Sequence, residues 1–249
     1  MSGHNRWTKI KHKKLAMGAT KGKLFTKLIK EITVAAKMGG GDVDGNARLR
    51  SAIEAGRAAN MPNDTITRAV KKGTGELEGV NYEEITYEGY GPQGVALMIR
   101  CLTDNKNRTA GEIRNLFTKF GGNMGTDGSV AWMFDRHGNI HVKPGVTEDR
   151  VMEIALDAGA IDVTPYEDEP GSFEVKTEAV DLHRVYVALE KTKVPLGEAK
   201  VILDPKDRVR VEGEPALRVA KMIESIDDND DVQEVFSNAD IPDAIFDQL

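Results

Sequence analysis

The sequence predicts a multidomain α+β chain. An N-terminal three-helix domain precedes two ferredoxin-like α+β domains, one inserted in the other. Three observations predict this. Hydrophobic residues recur with a helical period up to about residue 75, and mostly with the alternation of strands from residue 80. The charge changes sign at the same place. Beyond residue 80 the strand and helix signals fall into two nested β-α-β-β-α-β orders, each the split βαβ pattern of a ferredoxin-like plait.

The charge split is large. The 249 residues hold 34 Lys and Arg against 40 Asp and Glu, a net of -6. Residues 1–75 alone hold sixteen bases and five acids, a balance of +11, which leaves -17 for residues 76–249. A cationic end on an acidic body suits a polyanionic partner. A solvated lysine-rich surface is the other reading. Composition is that of a folded soluble chain, 40% hydrophobic and 30% charged. No run of eighteen apolar residues is present, so no membrane span or membrane partner is expected. The basic N-terminus is followed by no apolar signal core, so no secretory signal is expected. One cysteine, Cys101, excludes an intrachain disulfide and lies in the apolar run 95–102, as a core thiol would.

Residues 2–20 form an arm without a clear period, carrying Arg6, Trp7, Lys9, Lys11, Lys13 and Lys14. Trp7 suits either stacking on a base or anchoring the arm. Leu24, Phe25, Leu28, Ile29, Ile32, Ala35 and Ala36 then follow the 3.6 period of a helix, with Lys23, Lys27, Lys30 and Lys37 on the other face and Gly39-Gly40-Gly41 as its stop. A second helix spans about 46–60, with Leu49, Ala52, Ile53 and Gly56 inward and Arg50, Glu54 and Arg57 outward. Met61-Pro62 breaks it. A third opens with Asn63 as N-cap, presents Arg68, Lys71 and Lys72, and stops at Gly73. Residues 73–79 read as a linker.

Strands are then expected at 82–90, 95–103, 129–134, 139–143, 160–166, 173–176, 199–203, 209–211 and 232–236. Helices are expected at 109–120, 148–158, 179–191 and 215–226. Residues 139–203 make one plait. Removing them leaves 95–134 joined to 209–236 as the other, with 82–90 as an extra strand. The expected domains are 1–75, then 80–135 with 206–245, then the insert 136–205.

Candidate sites follow from chemistry. Phosphate contacts are expected from Arg6, Lys9, Lys11, Lys13, Lys14, Lys21, Lys23, Lys27, Lys30, Arg48, Arg50, Arg57, Arg68, Lys71 and Lys72, with Trp7 beside them. A second candidate is the helix start at Lys106, Asn107, Arg108 and Thr109 with Arg114, because cations there oppose the helix dipole unless an anion joins them. A capped, exposed turn is the alternative. The glycine-rich segment 121–128 fits neither a Walker A loop nor a dinucleotide fingerprint and reads as a helix stop with a turn. His137 and His141 flank Gly138-Asn139, read as a hairpin turn, and no metal site is expected. Asp227, Asn229 and Asp231 begin like a calcium loop, but Val232 and Asn238 stand at its sixth and twelfth positions, so the acids read as a solvated helix-to-strand turn. Nothing nominates a catalytic residue or a cofactor, and no enzyme is expected.

Several segments carry a family resemblance: GHNRWTKIKHKK, KGKLFTKLIKEI, NARLRSAIEAGRAANMPNDTITRAVKKGTG, YEGYGPQGVALMI, TDNKNRTAGEIRNLFTKFGGNMGTDGSVAWMF and DDVQEVFSNADIP. The chain resembles the YebC/PmpR family, which includes mitochondrial translational activators of cytochrome oxidase subunit I. The likeness is dense to about Phe134 and thinner through 139–205. It implies a cytoplasmic, non-enzymatic protein of one all-helical and two α+β domains. It also implies a DNA-binding transcriptional regulator. The alternative it implies is a ribosome-associated translation factor that contacts ribosomal or transfer RNA at difficult stretches such as proline runs. A small-ligand enzyme with a cleft between the α+β domains is a third alternative, argued from the residues alone. A monomer is expected.

Overall fold

The computed structural model describes residues 21–166 and 169–246. The expected contacts from the arm at Arg6, Trp7, Lys9, Lys11, Lys13 and Lys14 lie outside the described residues. The chain divides into two compact units, one running through Phe134 and resuming at Pro205, the other spanning Asp135–Asp204.

The first unit opens with three helices, α1 (Lys21–Gly39), α2 (Ala47–Ala58) and α3 (Asn63–Thr74). The apolar spacing places Ile32, Ala35 and Ala36 of α1 against Leu49, Ala52 and Ile53 of α2 and Ile66 and Ala69 of α3, in a core of their own. Asn46 caps α2 by accepting from the Leu49 amide at 3.1 Å, while its Nδ2 donates to the carbonyls of Ala35 and Gly40. At α3 the cap position is held by Pro62, not Asn63, and the stop is the left-handed Gly75 (φ 83°), not Gly73. Gly73 lies inside α3, where it lets α1 come close. A Cβ there would overlap the Thr33 carbonyl oxygen and lie 2.7 Å from the Ala36 Cβ.

The same unit continues with β1 (Glu83–Tyr90), β2 (Ala96–Thr103), α4 (Lys106–Lys119) and β3 (Asn123–Met124). After the second unit it resumes with β8 (Val209–Arg210), α7 (Gly213–Asp227), β9 (Val232–Ser237), β10 (Ala239–Asp240) and α8 (Asp243–Phe246). Its sheet has the order β3-β1-β2-β9. Leu97, Ile99 and Cys101 of β2 alternate onto one face, where Ile113 and Phe117 of α4 and Val219, Met222 and Ile226 of α7 cover them.

Three strands differ from expectation. The extra strand 82–90 occupies the place assigned to 209–211, pairing antiparallel with β2 along its whole length. Residues 209–210 pair instead with β10, in parallel. The strand expected at 129–134 is absent: residues 131–133 form a 3-10 turn. Its place at the sheet edge falls to β3, in the glycine-rich segment, which pairs with Gly89 and Tyr90.

The second unit is built on β4 (Phe134–Val142), α5 (Glu148–Asp157), β5 (Ala160–Pro165), β6 (Phe173–Glu178), α6 (Leu182–Lys191) and β7 (Leu196–Pro205). Its strand order β5-β6-β4-β7 is that of a split βαβ plait. Ile140, Val142 and Val175 of the sheet pack with Val151 and Ala155 of α5 and Val185 and Leu189 of α6. Gly138-Asn139 is not a hairpin turn. Both residues lie within β4, opposite Thr177 and Lys176, and a Cβ at Gly138 would come to 2.9 Å of the Leu182 Cβ.

Candidate nucleic-acid interface

Lys23, Lys27 and Lys30 recur at i, i+4 and i+7 and share one face of α1. That face meets the turn at residues 227–231, between α7 and β9. Lys23 Nζ reaches Asp228 Oδ2 at 2.6 Å. Lys27 Nζ donates to the Asp227 carbonyl and lies 3.7 Å from that residue's carboxylate. Lys30 Nζ bonds the Asp230 carbonyl at 2.9 Å and Asp231 Oδ1 at 2.5 Å, with the Tyr82 ring 5.6 Å away. Lys27 and Lys30 are only 8% and 6% exposed. In this structure their charge is met inside the protein, by the turn, and is not presented at the surface.

Asp231 is the hub, and the reading of the turn as solvated, which holds for exposed Asp228 and Asp230, is corrected for this buried residue. Its Oδ2 accepts from Thr109 at 2.7 Å, Arg108 at 2.8 Å and Thr103 at 3.1 Å. Burial alone would raise its pKa, but donation from Lys30, Arg108 and Thr109 outweighs this and holds the carboxyl at about 2.

A second charged contact joins the helices to the sheet. Glu31 of α1 accepts from Arg48 Nε of α2 at 2.7 Å and from Arg100 Nη1 of β2 at 3.2 Å. Arg48 also bonds Glu84 at 2.9 Å, and Arg100 bonds Glu234 at 3.2 Å. Burial works against ionised Glu31, yet Arg100 and Arg48 prevail and lower its pKa. Arg48 is thus an intramolecular partner. Arg50 donates to the carbonyls of Val43 and Asp44 and braces the α1–α2 loop.

The helix start at 106–109 resolves as a capped turn. Asn105 Oδ1 accepts from the Arg108 amide at 3.1 Å, Lys106 pairs with Glu83 at 2.5 Å, and Arg108 pairs with Asp104 as well as Asp231. Thr109 is fully buried, and Asn107 and Arg114 are exposed. The cations that oppose the dipole are matched by carboxylates of the chain, so no external anion is needed there.

Arg57, Arg68, Lys71 and Lys72 are different. All four are exposed, and none forms an ion pair with a described residue. Arg68, Lys71 and Lys72 stand at i, i+3 and i+4 of α3 and share its outer face, while Arg57 ends α2. Lys21, at the start of α1, is also exposed, with its ammonium 5.9 Å from the Phe25 ring.

Sequence reasoning missed Arg100 and Glu88, and read Asp231 only as one acid of a turn. Glu88 is 7% exposed and accepts the amides of Gly128, Val130 and Ala131, each within 2.9 Å. Burial disfavours its charge, but these donors prevail and lower its pKa. The signal available in sequence was weak: charged residues inside strands that otherwise alternate apolar. Among the described residues no group of three or more His, Cys, Asp or Glu is arranged to hold a metal ion. No described helix is long and apolar enough to cross a membrane.

These features define an α+β protein with a small helical bundle whose outer helix bears unmatched cations. The profile of the TACO1/YebC N-terminal domain matches residues 5–76, and that of the TACO1/YebC second and third domain matches residues 82–239. The chain belongs to the TACO1/YebC family. Relatives from Myxococcus xanthus (55% identical, 100% of this chain and 99% of the relative) and Desulforapulum autotrophicum (54%, 100% of both) are each named "probable transcriptional regulatory protein". These names are regulatory, not enzymatic. A crystal structure of a conserved hypothetical protein from Aquifex aeolicus matches with a TM-score of 0.78 at 45% identity, over 91% of this chain and 93% of that one.

Proposed function

We propose that this protein is a non-enzymatic regulator of gene expression that binds the backbone of a nucleic acid through the outer face of α3 and the end of α2. One observation carries the reading. Arg57, Arg68, Lys71 and Lys72 stay exposed and unmatched, while Lys23, Lys27, Lys30, Arg48, Lys106 and Arg108 are paired with acids. Lys21 at the start of α1 is a further exposed cation. The names of the relatives support transcription as the setting.

The outer face of α3 carries cations without Asn or Gln beside them to read base edges, so it sets affinity more than sequence choice. That same feature favours a second reading, binding to structured RNA of the ribosome, since a backbone reader needs no base code. The test is fluorescence anisotropy of the full chain on labelled duplex DNA and on a ribosomal RNA hairpin. Arg68→Gln/Lys71→Gln/Lys72→Gln should weaken binding at least tenfold and flatten the salt slope by about 2–3, with an unchanged melting temperature. Unchanged affinity in a folded variant would remove this face from the interface. Crosslinking in cells, followed by sequencing of the attached nucleic acid, separates promoter DNA from ribosomal RNA.

A further inference from the structure

We infer that Lys23, Lys27 and Lys30 form a second nucleic-acid-backbone site, occupied in this structure by the acidic turn 227–231, which acts as an internal competitor. The inference rests on the proposed nucleic-acid binding and adds a regulated site to it.

The first argument is chemical likeness. The three lysines span about 10 Å along α1, the distance over which one strand of a duplex advances by about three phosphates along the helix axis. Opposite them the turn supplies the carboxylates of Asp227, Asp228 and Asp231 and the carbonyls of Asp227, Asp228 and Asp230, all of them oxygen acceptors. Such a row of anionic oxygens is what a phosphate backbone would present.

The second argument is that the contact is built to part. The helical bundle and the sheet keep separate apolar cores, so the charged pairs carry much of what joins them. On separation Glu31 would keep Arg48, Arg100 would keep Glu84 and Glu234, and Asp231 would keep Arg108, Thr103 and Thr109. Each of these buried charges has a partner on its own side, which avoids the large penalty of an orphaned ion. The contacts of Lys23 and Lys30, by contrast, all cross the junction. An open cleft of about 480 Å³ runs beside the pairs, lined in part by Lys23, Lys30, Arg108, Asp228 and Asp230, and gives solvent and ions access to them.

The third argument is the sign of the remaining charge. Glu31 is the sole acid in α1, and it is held by Arg48. Once parted from the turn, this face would be cationic and continuous in chain with Lys21 and the basic arm.

The experiment uses the full chain and the same two probes. Asp227→Asn/Asp228→Asn/Asp230→Asn removes three of the turn's four negative charges, weakening the competitor, and leaves the Asp231 hub. It should bind about tenfold more tightly, with a salt slope steeper by about 2. Neutralising three acids of the second unit instead, Asp149→Asn/Glu153→Gln/Asp157→Asn, corrects for net charge and should gain less than about twofold. Adding Lys23→Gln/Lys30→Gln to the turn variant should abolish its gain. A turn variant no tighter than this charge control, or a gain that survives loss of the lysines, overturns the inference. If the turn variant does not fold, Asp228→Asn alone removes the anionic partner of Lys23 and leaves it the Asp228 carbonyl, and should gain about two- to threefold; no gain there overturns it equally. The α3 face is judged by its own variant, so either reading can fail while the other stands.

Discussion

Asp231 shows how one side chain sets the acid stability of its unit. Its carboxylate is 4% exposed, yet four side chains donate to it, and its pKa falls to about 2. An unfolded aspartate titrates near 3.9, so the folded value is depressed. The stabilisation is therefore complete above pH of about 5 and is lost as the pH falls through 4 towards 2. The size of that loss is on the order of 2 kcal/mol. Asp231→Asn should cost about 3 kcal/mol at neutral pH, because Lys30 and Arg108 lose their shared anion. It should also flatten the acid limb, since the asparagine no longer titrates. Urea unfolding of both proteins at pH 7, 4 and 3 measures this. An identical loss of stability between pH 7 and pH 3 in both would show that other carboxylates govern the acid limb. The residue itself was visible in sequence only as part of an acidic turn. Its partners lie 201, 128, 123 and 122 positions away, beyond any local pattern.

At the scale of elements, what was legible depended on whether the deciding contacts were local. The three N-terminal helices were readable because the apolar period of each lies within its own segment, although the cap and stop of α3 fall at Pro62 and Gly75 and not at Asn63 and Gly73. The segment 129–134 was misread for the opposite reason. Buried Val130 and Phe134 flank exposed Trp132, an alternation that a strand also shows. The backbone amides at 128, 130 and 131 are instead taken by the Glu88 carboxylate from a distant strand, so no sheet partner receives them. Gly73 is a case where both levels meet. Its place in a helix reads as a stop, and alanine would improve local helix propensity by about 1 kcal/mol. Tertiary packing wins, because the new Cβ would overlap the Thr33 carbonyl and the Ala36 methyl of α1. Gly73→Ala should therefore destabilise the helical bundle by about 1–3 kcal/mol net of that gain. Chemical denaturation checks it, and a stabilised variant would mean that α1 and α3 can move apart without loss.

For the molecule as a whole, the charge split was legible because it needs only counting. Which cations remain available was not, since that depends on which acids the fold brings to them. The division into units carries a further consequence. The core of the second unit draws only on residues between Ile140 and Ala199, and none of these belongs to the cores of the first. Units with unshared cores can unfold separately. Calorimetry of the full chain should therefore resolve two transitions. One should coincide, within about 5 °C, with the melting of an excised fragment spanning Asp135–Asp204, which keeps a whole plait and its core. At seventy residues that fragment is near the lower size limit for independent folding, so its transition should be the broader of the two. Asp231→Asn then labels the other transition. A loss of about 3 kcal/mol in a unit of this size lowers its midpoint by about 6–12 °C and leaves the fragment-like transition in place. One transition that moves as a whole under Asp231→Asn would show instead that the two units melt as a single cooperative body.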